Sequence, residues 1–119
     1  MARVLLADDA LFLRGMMRRM LEAHGHTIAG EAKNGMEAVK QFMQTKPDVV
    51  ILDITMPDMD GIEAMRYIKS LDPKAKVIVC TALVHQKMVA TAIESGAHGF
   101  IVKPFNEERL IKIVERVCG

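Results

Sequence analysis

The chain carries the stretch VVILDITMPDMDG at residues 49–61. Its first four residues, Val49–Leu52, are apolar and mostly β-branched, which favours a short strand over a helix. They do not alternate with polar residues, and an unbroken apolar run is typical of a parallel strand covered on both faces. Asp53 follows at once, and the proline, glycine and aspartates after it indicate a loop. The stretch therefore predicts a buried parallel strand that presents a carboxylate at its carboxyl end.

Other short apolar runs share the character of this strand. They contain β-branched residues, are too short for a helix, and lie at Val4–Ala7, Val77–Cys80 and Phe100–Val102. A weaker run, Thr27–Ala32, alternates more between polar and apolar residues, which favours a strand at the edge of a sheet. The sequence therefore predicts five strands.

Apolar residues recur at helical spacing between these strands. Each stripe repeats every three or four residues, so its members lie on one face of a helix, and we expect that face to pack on the sheet. The stripes consist of Phe12, Met16 and Met20 with Leu21 beside them; Val89, Ala92, Ile93 and Gly96; and Leu110, Ile113, Val114 and Val117.

Residues suited to helix ends mark the boundaries of these segments. Gly25 and Gly96 lie where a helix commonly ends in a left-handed residue. Asn34 followed by Glu37 resembles a capping box, and Asn106 with two glutamates after it is suited to open the last helix. Strand and helix thus alternate five times, and right-handed crossovers give a doubly wound α/β fold, a parallel sheet with helices on both faces.

Polar residues follow the predicted strands directly. The first strand is followed by Asp8 and Asp9, the third by Asp53, the fourth by Thr81 and the fifth by Lys103. In open α/β sheets ligands bind outside the carboxyl ends of the strands. If the first and third strands are neighbours, three carboxylates converge, and such a crowd of like charges is costly unless a cation relieves it.

Mg²⁺ is the natural cation for this group, because it prefers carboxylate oxygens, waters and phosphate oxygens. We expect Asp9, Asp53 and the backbone carbonyl of Thr55 to bind it, and Asp8 to act through a bound water. A carboxylate can attack a phosphoryl group without a general base, and Asp53 is the best candidate for this nucleophile. Lys103 adds a positive charge that can pair with Asp53 or with a bound phosphate.

The segments LLADDA at 5–10, ILDITMPDMDGI at 51–62, CTA at 80–82 and GFIVKPF at 99–105 occur together and in this order. Because of these four segments and their order, the chain resembles the receiver domains of two-component response regulators over essentially its whole length. The resemblance implies one receiver domain over residues 1–119, a flavodoxin-like (βα)₅ fold with strand order 2-1-3-4-5, and a cis peptide before Pro104. It also implies phosphotransfer from a histidine kinase to Asp53, with Mg²⁺ as the cofactor.

The resemblance further implies a signalling switch that catalyses only its own phosphotransfer and dephosphorylation. Thr81 would move toward the phosphate, Phe100 would turn inward, and the surface of the fourth helix, fifth strand and fifth helix would change its affinity for a downstream protein. Family members of this kind act in chemotaxis, so a flagellar switch and a phosphatase are candidate partners. Thr55 and Leu83 would flank the hydrolytic water, and we expect bulky Leu83 to prolong the life of the acyl phosphate.

Composition sets limits on other functions. The length of 119 residues corresponds to one ordinary domain. A net charge of +1, from 16 basic and 15 acidic residues, gives no support for nucleic-acid or membrane-surface binding. The apolar runs are far shorter than a membrane span, and we expect a cytoplasmic protein. Cys80 and Cys118 lack the spacing of a zinc or redox motif, so we expect neither role.

Several alternatives remain open at this point. Asp8 and Asp9 could simply cap the first helix. A Mg²⁺-dependent phosphatase with an aspartate nucleophile fits less well, because it needs a second aspartate where Thr55 lies. The chain could also be a receiver cut from a longer regulator with a DNA-binding or enzymatic output domain, or a receiver that relays or stores phosphate. Pro57 and Gly61 are expected to serve the turn alone.

Overall fold

A computed structural model describes residues 1–56, 59–82 and 86–119, and the predictions that concern Pro57 and Leu83 fall outside these ranges. Over the described residues five strands alternate with five helices. They are β1 (Arg3–Ala7), α1 (Leu11–Ala23), β2 (Thr27–Ala32), α2 (Gly35–Thr45), β3 (Val49–Leu52), α3 (Gly61–Leu71), β4 (Val77–Thr81), α4 (Gln86–Glu94), β5 (Gly99–Val102) and α5 (Glu107–Cys118). The alternation predicted from the sequence is confirmed.

All strands are parallel and form one sheet in the order β2-β1-β3-β4-β5, as the resemblance implied. The central strand β3 is buried along its whole length, and β2 lies at an edge as its alternating pattern predicted. Ala7 of β1 lies opposite Leu52 of β3. The residues that follow them, Asp8 and Asp53, therefore leave neighbouring strands at the same level.

Two apolar cores cover the two faces of the sheet. One contains side chains of α2, α3 and α4, and the other contains side chains of α1 and α5. Burial on both faces explains why the strands read as unbroken apolar runs. No helix among the described residues is long and apolar enough to cross a membrane.

The predicted helix stripes were partly wrong. In α1 the buried residues are Met17 and Leu21, whereas Phe12 is 78% exposed, because the helix turns its 17/21 face to the sheet. In α4 Ala92 is buried but Ile93 is 60% exposed. The α5 stripe holds, since Leu110, Ile113 and Val114 are buried and Val117 is half-buried.

The predicted helix ends are confirmed. Gly25 and Gly96 have positive φ angles of 85° and 106°. Asn34 accepts a hydrogen bond from the backbone N–H of Glu37 at 2.8 Å, and Asn106 accepts one from the N–H of Arg109 at 2.8 Å. The Glu37 carboxylate reaches back to the N–H of Lys33 rather than to that of Asn34. The capping box is therefore displaced by one residue.

The two cysteines are free, and both lie in the described part of the chain. Burial raises the pKa of the Cys80 thiol to about 12, so it stays protonated and unreactive at neutral pH. Cys118 is half-buried.

Candidate functional site

Three carboxylates meet at the carboxyl end of the sheet. Asp8, Asp9 and Asp53 each offer one oxygen, and these oxygens lie within 4.8 Å of one another. Asp8 and Asp53 are buried, while Asp9 is exposed. The convergence expected from neighbouring strands is therefore present. The site is closed on the side of the sheet and open to solvent on the side of Asp9.

Lys103 bridges the two buried carboxylates. Its Nζ donates to Oδ2 of Asp8 at 2.7 Å and to Oδ2 of Asp53 at 3.0 Å. The pair with Asp53 was expected from the sequence, whereas the pair with Asp8 was not. Burial raises the pKa of Asp8, and the Lys103 ammonium only partly offsets this rise. Burial alone would lower the pKa of Lys103, but its hydrogen bonds to both carboxylates outweigh burial and raise that pKa.

The second oxygen of Asp53 is held by Thr55. Both the backbone N–H and the hydroxyl Oγ1 of Thr55 donate to Asp53 Oδ1, each at 3.0 Å. The Asp53 carboxylate is thus fixed from two directions, by Thr55 on one oxygen and by Lys103 on the other. From the sequence we expected the backbone carbonyl of Thr55 to bind the metal ion, and that contact stays a prediction.

The loop between β1 and α1 does not form a side-chain cap. The N-cap residue of α1 is Ala10, and among the described residues no side chain accepts a capping hydrogen bond there. Asp8 Oδ1 instead accepts the N–H of Ala10 at 2.8 Å, which closes a local turn. The interpretation of Asp8 and Asp9 as simple helix caps is therefore wrong.

Gly61 is a site residue that sequence reasoning assigned to the turn alone. A Cβ at this position would lie 2.2 Å from the carbonyl oxygen of Asp53 and 2.4 Å from Cα of Ile54. The Gly61 N–H also donates to the carbonyl of Ile54 at 3.1 Å. The absence of a side chain therefore lets α3 begin directly against the backbone that carries Asp53. The sequence does not distinguish Gly61 from an ordinary turn glycine, so sequence reasoning had no signal for this close approach.

The predicted switch residues lie on adjacent strands. Thr81 is the buried last residue of β4, and its carbonyl accepts the N–H of Lys103 at 2.9 Å. Phe100 of β5 is half-buried and lines a cavity of about 160 Å³ with Ile93 and Ala97. Its inward movement stays a prediction. The peptide bond between Lys103 and Pro104 is cis, as the resemblance implied.

The donor set fits a hard divalent cation. Three carboxylates supply oxygens at short mutual distances, and one ammonium balances only part of their charge. An exposed Asp9 leaves an approach from solvent. The aspartate cluster is therefore an acidic pocket of the kind that a divalent cation can occupy.

Comparison with known proteins agrees with this geometry. The response regulator receiver domain family matches residues 4–115. The chemotaxis protein CheY of Thermotoga maritima is 49% identical over 97% of this chain and 96% of its own length. The protein CcdB of Bacillus subtilis is 50% identical over 100% of this chain and 99% of its own. A CheY from Borrelia burgdorferi, solved as a complex with CheX, BeF₃ and Mg²⁺, superposes with a TM-score of 0.94 at 35% identity, covering 97% of this chain and 87% of that one. The chain therefore belongs to the receiver domains of two-component response regulators, and it is strongly similar to CheY.

Proposed function

We propose that residues 1–119 form a cytoplasmic phosphorylation switch in which Asp53 accepts a phosphoryl group from the phosphohistidine of a histidine kinase. The supporting observation is the Asp53 carboxylate, which is buried, held on both oxygens, and placed beside two further carboxylates and an ammonium. Receiver domains are signalling switches and generally not enzymes. We propose that this one catalyses only its own phosphorylation and dephosphorylation.

The transfer breaks the P–N bond of the donor histidine and forms a P–O bond to one Asp53 oxygen. The other ring nitrogen of the phosphohistidine carries a proton, so the histidine leaves as neutral imidazole. No proton has to be removed from Asp53, because a carboxylate is already the nucleophile. Asp8, Asp9, Asp53 and the Thr55 carbonyl would hold Mg²⁺, which supplies positive charge to the phosphoryl oxygens when bound. Lys103 supplies a second positive charge from the opposite side, and it exchanges its contact with Asp53 for one with the phosphoryl group.

The readout begins at Thr81 and ends on the outer surface. Thr81 lies at the end of β4, and its carbonyl is bonded to the residue that carries the ammonium. A hydroxyl drawn toward the phosphoryl group would leave space for Phe100, which is only half-buried against the core and borders a cavity. A local charge change that biases two packings of β4 and β5 is a sufficient switch. The affected surface is formed by α4, β5 and α5.

The downstream partner is a protein, and we propose that the pathway is chemotaxis with a flagellar switch component as target. Support comes from relatives whose names state chemotaxis and that match this chain over nearly its whole length. A phosphatase partner is a further proposal, and it would shorten the life of the acyl phosphate. A receiver within a longer regulator, or one that relays phosphate, would share the same site and differ in its partner.

Phosphotransfer from a purified, ³²P-labelled histidine kinase tests the proposal. The label is expected to move to this chain in the presence of Mg²⁺ and to be absent from the Asp53→Asn variant. Asp60→Asn is the matched control, because Asp60 is an exposed aspartate that caps α3, and it should accept label normally. Transfer to Asp53→Asn at the wild-type rate would contradict the proposal.

A further inference from the structure

A group of three charged side chains lies beside the acidic site. Nε of Arg14 on α1 donates to Oε1 of Glu31 on β2 at 3.1 Å, and its Nη1 donates to the backbone carbonyl of Asp8. Arg18, one turn further along α1, pairs with the other oxygen of Glu31. The side chains of Arg14 and Glu31 are only 12% and 19% exposed. This group therefore connects α1, β2 and the loop that carries Asp8 and Asp9.

The contacts that hold this loop are concentrated on Asp8. The N–H of Asp8 bonds to the carbonyl of Ala32 at 3.0 Å, its Oδ1 accepts the N–H of Ala10, and its Oδ2 accepts Nζ of Lys103. The carbonyl of Asp8 is taken by Arg14. A guanidinium presents several N–H groups in one rigid plane, so it can bind a carbonyl and a carboxylate together. An ammonium can contact two acceptors, as that of Lys103 does, but on its flexible stem it does not hold them in one fixed plane.

The charge of Arg14 and its geometry act on cation binding with opposite signs. A positive charge beside the aspartates repels a divalent cation, so its loss through Coulomb effects alone would tighten binding. A loop held at the carbonyl of Asp8 keeps the Asp8 and Asp9 carboxylates at the spacing that a cation requires. Loss of that contact would weaken binding. The sign of the effect therefore distinguishes the two roles.

We propose that Arg14, itself held by Glu31, is a positioning residue that fixes the Asp8–Asp9 loop for divalent-cation binding. The inference rests on the proposed function only in taking the aspartate cluster as the cation site. It concerns binding of the cation, not transfer of the phosphoryl group.

Isothermal titration of the purified chain with Mg²⁺ tests this inference directly. Arg14→Lys keeps the charge and loses the planar fork, and we expect its dissociation constant for Mg²⁺ to rise about fivefold, which corresponds to the net contribution of one typical hydrogen bond. Arg14→Gln also removes the charge that repels the cation, so its dissociation constant for Mg²⁺ should still rise, but by less than that of Arg14→Lys. Arg19→Gln removes the same charge from an exposed position on the same helix, and it should bind Mg²⁺ within about twofold of wild type.

A kinetic measurement separates positioning from general damage to the fold. With acetyl phosphate as donor, Arg14→Lys should need more Mg²⁺ for half-maximal phosphorylation yet reach nearly the wild-type rate at saturation. A lower rate at saturating Mg²⁺ with an unchanged Mg²⁺ requirement would contradict a positioning role.

Glu31→Gln provides a second variant should the Arg14 variants fail to fold. It leaves the guanidinium in place but removes its charged anchor, and we expect a twofold to fivefold weaker Mg²⁺ affinity. An unchanged affinity in Glu31→Gln or in Arg14→Lys, or tighter binding in Arg14→Gln, overturns the inference alone. A wild-type chain that binds no Mg²⁺ overturns both the inference and the cation site of the proposed function.

Discussion

Replacing Gly61 with alanine adds one methyl group where α3 begins against the strand end that carries Asp53. The new Cβ would lie 2.2 Å from the carbonyl oxygen of Asp53 and 2.4 Å from Cα of Ile54. Carbon atoms in contact normally lie about 3.5–4.0 Å apart, so the helix start or the Asp53 backbone must move by about 1 Å or more. Both obstructing atoms belong to the backbone, and no side-chain rotation relieves the clash.

The expected cost follows from this geometry. Overpacking a filled site costs about 1–3 kcal/mol, and a clash with backbone belongs at the upper end, so we expect Gly61→Ala to lose about 3 kcal/mol of unfolding free energy. Movement of the Asp53 backbone should also slow phosphorylation by acetyl phosphate.

Gly15→Ala is the matched control, since it makes the same chemical change inside α1. Apart from its chain neighbours and the backbone of its own helix, the nearest described atom to its added Cβ is Nη1 of the Arg19 side chain, at 3.8 Å. Alanine is favoured over glycine in a helix interior by about 0.5–1 kcal/mol, so this variant should be more stable than wild type. Urea denaturation followed by circular dichroism measures both changes. Equal effects of the two substitutions, or a Gly61→Ala protein within 1 kcal/mol of wild type, would refute the packing argument.

Three further predictions concern single contacts. Lys103→Met leaves two buried carboxylates without their ammonium, so the Mg²⁺-free protein should lose about 3 kcal/mol of unfolding free energy and recover part of it when Mg²⁺ is added. A loss of stability that Mg²⁺ does not change would contradict this role of Lys103. Asn106→Ala should cost about 1 kcal/mol in urea denaturation, because the N–H of Arg109 loses its cap, while Asn106→Asp should cost little. Nδ1 of buried His26 accepts the N–H of Ala2, and burial lowers the pKa of His26 below 6.5. The neutral ring therefore stabilises the fold fully above pH 6.5, and this stabilisation is lost as the pH falls through the lowered pKa. His26→Gln should flatten the fall in melting temperature on acidification, exposed His24→Gln should not, and an unchanged pH profile in both would refute this role.

Most of the fold could be predicted because its strands carry their own signal. Parallel strands buried on both faces must be apolar throughout. The strand predicted at Val49–Leu52 has the same first and last residues in the structure. The buried face of each helix was harder to predict from the sequence. In α1 apolar residues occupy two overlapping stripes, one with Phe12 and Met16 and one with Met17 and Leu21, and the sequence does not say which one faces the sheet. Only the packing of α1 against the sheet decides this.

At the candidate site, too, some features could be predicted from the sequence and others could not. Asp8, Asp9, Asp53 and Lys103 could be placed together because parallel strands end at one edge of the sheet. The contacts that hold them could not be predicted. An arginine on α1 that reaches back to a backbone carbonyl leaves no periodic signal.

The close approach at Gly61 had no sequence signal either, because a glycine that admits a neighbouring backbone reads like any turn glycine. Thr55 was recognised as a site residue, but its hydrogen bonds to Asp53 depend on loop geometry.

Mass spectrometry of the intact chain after incubation with acetyl phosphate and Mg²⁺ shows whether Asp53 accepts a phosphoryl group. We expect the added mass of one phosphoryl group in the wild-type chain, its loss when Mg²⁺ is chelated beforehand, and its absence from Asp53→Asn. An unmodified wild-type chain, or the same added mass on the asparagine variant, would show that Asp53 is not the acceptor.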